Sequence, residues 1–163
     1  MNFFKSDLEY SNSDRVFWNK FYQKAFPNMT DSRLERSLSR QKMGIDIEIY
    51  LNNGTSVFVE EKTRKKSYND ILLEYISNDK TGSLGWMEKD LKCDYLAYAV
   101  MSKKKVYLFS WTQLQKVWFK NRDTWIDKFP RIVAQNPKYK TISVGVPVSI
   151  IKKYVNMETY NIA

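Results

Sequence analysis

GIDIEIYLNNGTSVFVEEKTR, residues 44–64, alternates apolar and polar side chains on both sides of a central Asn-Asn-Gly. Such alternation is typical of a half-buried β-strand, and Asn-Asn-Gly has the composition of a tight turn. The segment therefore predicts an antiparallel β-hairpin, around which the rest of the chain is arranged. The register of this hairpin decides which of its side chains meet.

Two registers compete in the predicted hairpin. A two-residue turn at Asn53-Gly54 pairs Asp46 with Glu61 and sets isoleucines beside charged residues. A three-residue loop that ends on a left-handed Gly54 pairs Asp46 with Glu60 instead. Because a one-residue slip turns every side chain to the other face, burial of one apolar row selects the second register. That row consists of Ile45, Ile47, Ile49, Leu51, Val57 and Val59.

The opposite face of the predicted hairpin carries Asp46, Glu48, Glu60 and Lys62. Like charges placed opposite each other destabilise a sheet, so these acids need a counter-charge. Mg²⁺ prefers carboxylate oxygens and keeps several waters, which suits Asp46 and Glu60 as ligands together with a main-chain carbonyl near Glu61. Lys62 then lies where it can orient or help deprotonate a water that attacks a phosphate. The alternative is an exposed face laced with salt bridges.

The motif Gly44-Ile45-Asp46, followed after residues 47–59 by Glu60-Glu61-Lys62, resembles the PD-(D/E)XK nuclease superfamily. Members of that family carry an acid on one strand and Asp/Glu-x-Lys on the next. The resemblance implies a restriction-endonuclease-like fold and a site for Mg²⁺, with Mn²⁺ as a substitute. It assigns the two acids, Asp46 and Glu60, to the metal and Lys62 to the attacking water, and the main chain near Glu61 is the third predicted metal ligand. Unlike the family motif, this chain has no proline before the acid.

The segment after the hairpin predicts a helix from Ser67 to Asn78, because Ser67 and Asp70 have the spacing of a capping box. In many PD-(D/E)XK enzymes, the helix after the lysine strand supplies a Gln or Glu to the site. The resemblance therefore makes Glu74 a further catalytic candidate. The alternative is that Glu74 belongs to a solvent-facing stripe.

Basic residues outnumber acidic ones, with 27 Lys and Arg against 18 Asp and Glu and a formal charge of +9. Such a balance favours a polyanionic partner, here DNA, although it also serves solubility. Arg64, Lys65 and Lys66 directly follow the lysine strand and are predicted to contact phosphates. A second basic group precedes the acidic strand, where it could hold a phosphate backbone near the metal. The alternative is that these residues form a solvated face. That group consists of Arg33, Arg36, Arg40 and Lys42.

The sequence has no histidine, and its single cysteine is Cys93. These counts exclude disulfide frameworks, Cys/His zinc sites and histidine-dependent hydrolases. No apolar run approaches the roughly twenty residues that span a bilayer, and the N-terminus has no signal-peptide core. We therefore expect a cytoplasmic protein, in the host cytoplasm if a phage encodes it.

Helices are predicted in three other parts of the chain. The first runs from Asp14 to Ala25, with Ser13 as its cap and Val16, Phe17 and Phe21 in an apolar stripe. Another follows the capping box of Ser110 and Gln113, and a short one spans residues 148–155. Residues 30–42 are left open between a short helix and an ordered loop.

The other segments predict strands and connections. Strands are expected at residues 94–100, 106–110 and 142–146, the last being the final strand, and a basic connector at 130–140. Trp86 lies in a loop, where it either stacks on a base or plugs the loop onto the core.

These elements predict an α/β or α+β fold in which helices flank a mixed central β-sheet and a hairpin carries the active site. At 163 residues the chain fits a single domain, 1–163. The predicted function is a Mg²⁺-dependent DNA nuclease of phage or mobile-element replication, repair or recombination, and a homodimer would supply two sites for two strands. The alternative is a catalytically inactive nucleic-acid-binding module with the same fold.

Overall fold

The computed structural model describes the backbone of residues 3–162 and the side chains of residues 14–162. Its α-helices are α1 (Phe3–Ala25), α2 (Leu38–Lys42), α3 (Trp111–Lys128) and α4 (Val148–Tyr154), and short 3-10 helices span Trp86–Glu88 and Met101–Lys103. Its strands are β1 (Met29–Leu34), β2 (Ile47–Leu51), β3 (Ser56–Arg64), β4 (Asp70–Asn78), β5 (Ser83–Leu84), β6 (Tyr95–Val100), β7 (Lys105–Ser110), β8 (Arg131–Gln135), β9 (Lys140–Pro147) and β10 (Met157–Asn161).

Two β-sheets form the frame of the described chain. The larger sheet has the strand order β1-β2-β3-β6-β7-β10, and it is mixed because β3 and β6 run parallel while the other neighbours run antiparallel. The smaller sheet is antiparallel, in the order β5-β4-β9-β8. A parallel pair needs a long crossover connection. Here β4, β5 and the first 3-10 helix make that crossover. The predicted mixed sheet with flanking helices is confirmed.

The larger sheet separates two apolar clusters. On one face, Ile47 and Val59 lie in a cluster with Trp18 of α1. On the other face, Leu96 of β6 belongs to a cluster that also includes residues of β4, β9 and α3. Successive side chains of a strand point to opposite faces, so β3 turns Val59 toward α1 and Glu60 away from it. The polar face of the hairpin is therefore the one that looks toward the smaller sheet.

β2 and β3 form the predicted hairpin in the predicted register. Ile47 pairs with Val59, and the backbone N–H of Asp46 donates to the Val59 carbonyl at 3.0 Å. The ladder ends at the pair of Ile47 and Val59, and Asp46 directly precedes it. Gly54 has a φ of +84°, the left-handed conformation that a three-residue loop requires. The choice between the two registers is thus settled in favour of the one that buries the apolar row.

Residues 70–78 form strand β4, so the helix predicted there is wrong. Ile71, Leu73 and Tyr75 are buried and alternate with half-buried neighbours, and β9 pairs with the strand along most of its length. The apolar residues of this segment fit both a helical and a strand period, so the local pattern permits either. Pairing with a strand from much later in the chain decides between them. The predicted capping box is absent, since no helix follows Ser67. The Ser67 hydroxyl instead accepts a hydrogen bond from the backbone N–H of Asn69 at 3.4 Å.

Strands β1, β8 and β10 lie where the sequence predicted other structure. β1 falls inside the segment left open between a helix and a loop, β8 falls inside the predicted connector, and β10 follows the strand predicted to be the last. Both β1 and β8 are edge strands, with mostly exposed side chains. An edge strand with little burial lacks the apolar alternation by which strands are recognised in a sequence.

Helix α1 begins at Phe3, so the start predicted at Asp14 is wrong. The side chain of Ser13, the predicted cap, lies outside the described residues. The stripe that α1 buries consists of Trp18, Phe21 and Tyr22, whereas Val16 is 61% exposed. Phe21 is thus buried as predicted and Phe17 packs against the same cluster, so Val16 is the residue of the predicted stripe that does not belong to the apolar face.

The other predicted elements are confirmed. The strands expected at 94–100, 106–110 and 142–146 correspond to β6, β7 and β9, and the two later helices correspond to α3 and α4. Ser110 is the N-terminal flanking residue of α3, as the sequence predicts, although its side chain makes no capping hydrogen bond. Among the described residues, no helix has the length and apolarity needed to cross a bilayer.

Candidate active site

The polar face of the hairpin brings three predicted site residues together. Asp46 directly precedes β2, its carboxyl lies near that of Glu60 on β3, and Lys62 follows Glu60 on the same face. The Lys62 Nζ lies 2.8 Å from Glu60 Oε1. Glu60 is only 7% exposed, while Asp46 and Lys62 are half-buried. An ion pair and a second carboxylate thus share a site that is largely shielded from water.

The chain enters β2 through a tight turn at Gly44, which has a φ of +81°. A Cβ atom at this position would lie 2.8 Å from the Cβ of Leu91, so both conformation and space require glycine. The adjacent Met43 carbonyl accepts a hydrogen bond from the backbone N–H of Lys92 at 2.7 Å. These contacts fix the start of β2, and with it Asp46, against the segment that precedes β6.

The second carboxylate oxygen of Glu60 is the least satisfied atom of this site. Glu60 Oε2 is buried and has no hydrogen-bond partner among the described residues. Burial is the main reason that the pKa of Glu60 is raised to about 7; the charge of Lys62 lowers this pKa, and the charge of Asp46 raises it. The carboxyl groups of Glu60 and Asp46 are close enough to share a proton, but when both are ionised neither can donate to the other. A buried acceptor without a donor leaves a position that a cation can fill.

The residues present fit a hard divalent cation. Mg²⁺ is commonly held by one or two carboxylates and retains several waters, and Asp46 and Glu60 supply two carboxylates. Within the described part of the chain, no group of three or more Asp, Glu, His or Cys side chains is arranged to hold a metal. Waters, main-chain carbonyls or substrate phosphates would therefore complete the coordination of a cation at Glu60 Oε2.

The carboxylate of Glu61 lies on the other face of the sheet, against α1. Its Oε2 accepts a hydrogen bond from the Tyr22 hydroxyl at 2.6 Å, and its Oε1 forms an ion pair with Arg15. Burial raises the pKa of Glu61, and the charge of Arg15 opposes this rise. Of the three predicted metal ligands, Glu61 therefore brings only its main chain to the site, where its N–H donates to Asp46 Oδ2 at 2.7 Å.

Glu74 reaches the neighbourhood of Lys62 from strand β4, not from the predicted helix. Its Oε1 accepts a hydrogen bond from the backbone N–H of Trp86 at 3.3 Å. Burial raises the pKa of Glu74, and the charge of Lys62 is the largest opposing influence. The Trp86 ring centroid lies 5.4 Å from the Lys62 Nζ, a cation–π distance. Lys62 thus lies among Glu60, Glu74 and the Trp86 ring, which restrict where its ammonium group can reach.

Trp86 is brought to this position by Gly85, whose backbone runs directly against β4. A Cβ atom at Gly85 would lie 2.3 Å from the carbonyl oxygen of Glu74, so no other residue fits without moving the chain. Trp86 itself is 8% exposed, which agrees with the core plug and leaves little of its ring for a base. In the sequence, the Gly-Trp dipeptide marks Trp86 as an embedded loop residue. Only the fold shows that the Trp86 ring lies next to Lys62.

The predicted nucleic-acid contacts fall into two groups. Arg64 forms an ion pair with Asp70 and lies over the Tyr68 ring, and Arg40 pairs with Glu35 at 2.9 Å. Both arginines are therefore engaged within the protein. The other predicted contacts are exposed at the surface, and they are Arg33, Arg36, Lys42, Lys65 and Lys66.

Comparison of the sequence with models of known protein families finds no match, and comparison with curated protein sequences finds none either.

Proposed function

We propose that the protein is a Mg²⁺-dependent nuclease that hydrolyses phosphodiester bonds in DNA. The observation that supports this most is the arrangement around Glu60. A buried carboxylate oxygen without a hydrogen-bond partner adjoins Asp46, while Lys62 contacts the other oxygen of the same carboxylate at 2.8 Å. Two acids and a lysine in one shielded site are the residue types that metal-assisted phosphoryl chemistry uses.

Asp46 and Glu60 would hold the metal in this proposal. When bound, Mg²⁺, or Mn²⁺ in its place, polarises the phosphoryl oxygens and makes water more acidic. Glu60 supplies the oxygen that lacks a donor, and Asp46 is oriented by the N–H of Glu61. Two ionised carboxylates near each other repel when no cation is present. Metal binding would remove this repulsion between Asp46 and Glu60 and so offset its cost to the stability of the protein.

Lys62 would position the reacting groups. Its ammonium has three N–H donors, of which one faces Glu60 Oε1. The remaining donors can hold the attacking water or a non-bridging phosphate oxygen while the bond to phosphorus forms. Glu74 and Trp86 restrict the movement of this ammonium, so we assign them positioning roles.

DNA is the proposed substrate because of the chain's charge. A formal charge of +9 favours association with a polyanion, and the exposed Lys65 and Lys66 follow the lysine strand directly. A small basic enzyme of this kind would serve in the replication, repair or recombination of phage or mobile-element DNA in the cytoplasm, and pairing two copies would supply a site for each strand.

One observation favours a second candidate, a nucleic-acid-binding module without catalysis. The ion pair of Lys62 with Glu60 already neutralises part of the acidic charge without a metal. In that case the polar face would be a structural ion-pair cluster, and the basic surface alone would bind DNA.

The experiment that separates the two candidates is a cleavage assay with four substrates. Plasmid, linear duplex, single-stranded and four-way-junction DNA are incubated with the wild-type protein in Mg²⁺, in Mn²⁺ and in EDTA. Cleavage that requires metal and is lost in Glu60→Gln supports the nuclease. If all four substrates stay uncut in every condition while the protein still binds DNA in EDTA, the result supports the binding module. Glu158→Gln is the matched control, because Glu158 is an exposed glutamate on β10.

A further inference from the structure

A cavity of about 630 Å³ lies between α1 and β1, on the face of the hairpin that points away from the candidate active site. Helix α1 contributes Arg15 and Asn19 to its lining, and the segment of β1 and its continuation contributes Ser32, Arg33 and Arg36. Ile47, which belongs to the apolar cluster on this side of the sheet, forms part of its floor. The volume lies within the range of small-molecule binding sites.

Three arginines line the cavity, and two of them have no ion-pair partner among the described residues. Arg33 and Arg36 are exposed, and neither forms an ion pair with another described residue. One nitrogen of Arg15 pairs with Glu61, the one described carboxylate that contacts an arginine of this lining. Asp14 and Glu61 both lie near Arg15, and Glu48 is paired with Arg33 across β1 and β2, so Arg36 brings the lining charge that an anion can best neutralise.

Arg15 also carries a donor that no described residue satisfies. Its Nη1 is buried and has no hydrogen-bond partner among the described residues. Leaving a buried charged donor unpaired is costly, so an oxyanion that accepts from it would stabilise the protein. Glu61 orients the same guanidinium through its other nitrogen, which fixes the plane of the group before a ligand arrives.

We propose that this cavity binds a phosphate ester, either a backbone phosphate of a nucleic acid or the phosphate of a free nucleotide. Arginine is suited to this ligand because its planar fork donates two parallel hydrogen bonds to phosphate oxygens. Asn19 and Ser32 add neutral donors, and the apolar floor at Ile47 can accommodate a sugar or base. The site is distinct from the hydrolytic one, because the larger sheet separates the cavity from Glu60 and Lys62.

The test uses the full chain in EDTA, so that no hydrolysis occurs and the outcome does not depend on the proposed nuclease activity. Binding of dAMP and of a short single-stranded oligonucleotide without terminal phosphates is measured by calorimetry for the wild type and for the double variant Arg33→Gln/Arg36→Gln. Both side chains are exposed, so the variant should keep the melting temperature of the wild type. The control variant Arg131→Gln/Lys152→Gln removes two positive charges from exposed positions in β8 and α4.

The cavity variant should bind at least one probe about tenfold more weakly or worse, because charge-assisted hydrogen bonds are lost, and the control should bind as the wild type does. Loss for dAMP alone identifies a free nucleotide as the ligand, and loss for the oligonucleotide identifies a backbone phosphate. Equal losses in the cavity variant and the control would mean unspecific attraction and would overturn the proposal. So would wild-type affinity in the cavity variant, or no binding of either probe to the wild type.

Discussion

Glu60 and Glu61 are neighbours on β3, and both carboxylates are largely buried, yet their surroundings differ in kind. Both oxygens of Glu61 are satisfied, one by Tyr22 and the other by Arg15. Glu60 has a partner on one oxygen only, Lys62, and its other oxygen adjoins Asp46 without a donor. Burial raises the pKa of both residues, so the pKa direction does not distinguish them.

The two carboxylates thus differ in the number of oxygens that have a partner, and not in burial, and the proposed metal site depends on this difference. Glu61 connects α1 to the sheet, and each of its carboxylate oxygens already has a partner from that helix. Glu60 retains that capacity, because the alternation of a strand turns it to the face where Asp46 lies. If this view is right, removing the charge of each residue will affect different properties.

The largest effect is expected from Glu60→Gln. Loss of a charged ligand should abolish cleavage and weaken Mg²⁺ and Mn²⁺ binding, because the amide lacks the charge that a hard cation prefers. Cleavage assays and calorimetric titration of the metal check this, with Glu158→Gln as the control. Full activity in Glu60→Gln would remove Glu60 from the metal site.

The same variant should melt at a higher temperature than the metal-free wild type at alkaline pH. The folded-state pKa of Glu60 is about 7, above the 4.5 of a free glutamate, so the ionised form is disfavoured in the folded protein. Between those two values the folded state holds the proton more tightly, and wild-type stability falls as pH rises. The difference in melting temperature between the two proteins should therefore be largest above about pH 7 and should disappear as the pH falls toward 4.5. Equal melting temperatures throughout this range would contradict the unfavourable setting of Glu60.

Lys62→Ala should leave metal binding nearly intact while slowing cleavage by about 10²-fold or more, the scale of lost acid–base assistance. The lysine positions reacting groups and contributes no ligand, so its loss separates rate from metal affinity. Single-turnover cleavage and metal titration of the same preparation measure both. Lys66→Ala, a change at an exposed lysine nearby, serves as the control. A parallel loss of metal affinity would show that Lys62 organises the ligands.

Glu61→Gln should act on stability instead. Replacing the acceptor of the Arg15 ion pair and of the Tyr22 hydroxyl should cost about 1–3 kcal/mol of the free energy of unfolding, since it weakens hydrogen bonds to a buried charged group. Chemical denaturation measures that loss, and metal titration should give the wild-type affinity. The reverse pattern, with normal stability and poor metal binding, would make Glu61 a ligand after all.

The smallest effect is expected from Glu74→Gln. The amide oxygen can still accept from the Trp86 N–H, but the charge that faces Lys62 is lost. We expect the cleavage rate to fall by about tenfold, the lower end for groups that orient a catalytic residue through contact. Steady-state kinetics should show this fall in kcat with an unchanged melting temperature. A complete loss of cleavage would place Glu74 in direct contact with the metal or the substrate.

Much of the candidate site was predictable because it lies in one short segment. The turn residues and the two alternating runs are contiguous, and only one register buries the isoleucines and valines together. That register places Asp46 opposite Glu60, with Lys62 on the same face. The strand from which Glu74 reaches Lys62 was not predictable, since the segment around Glu74 satisfies both a helical and a strand pattern.

The sequence by itself determined the hairpin, its register and its polar face, because side-chain alternation and the left-handed Gly54 act over a few residues. Tertiary structure alone decided that residues 70–78 are a strand, because β9 supplies their hydrogen bonds from a distant part of the chain. It also decided the division of labour between Glu60 and Glu61. Tyr22 and Arg15 reach Glu61 from a helix that begins far earlier in the chain, and no local pattern specifies which helix residues will meet which strand residues once the apolar faces pack together.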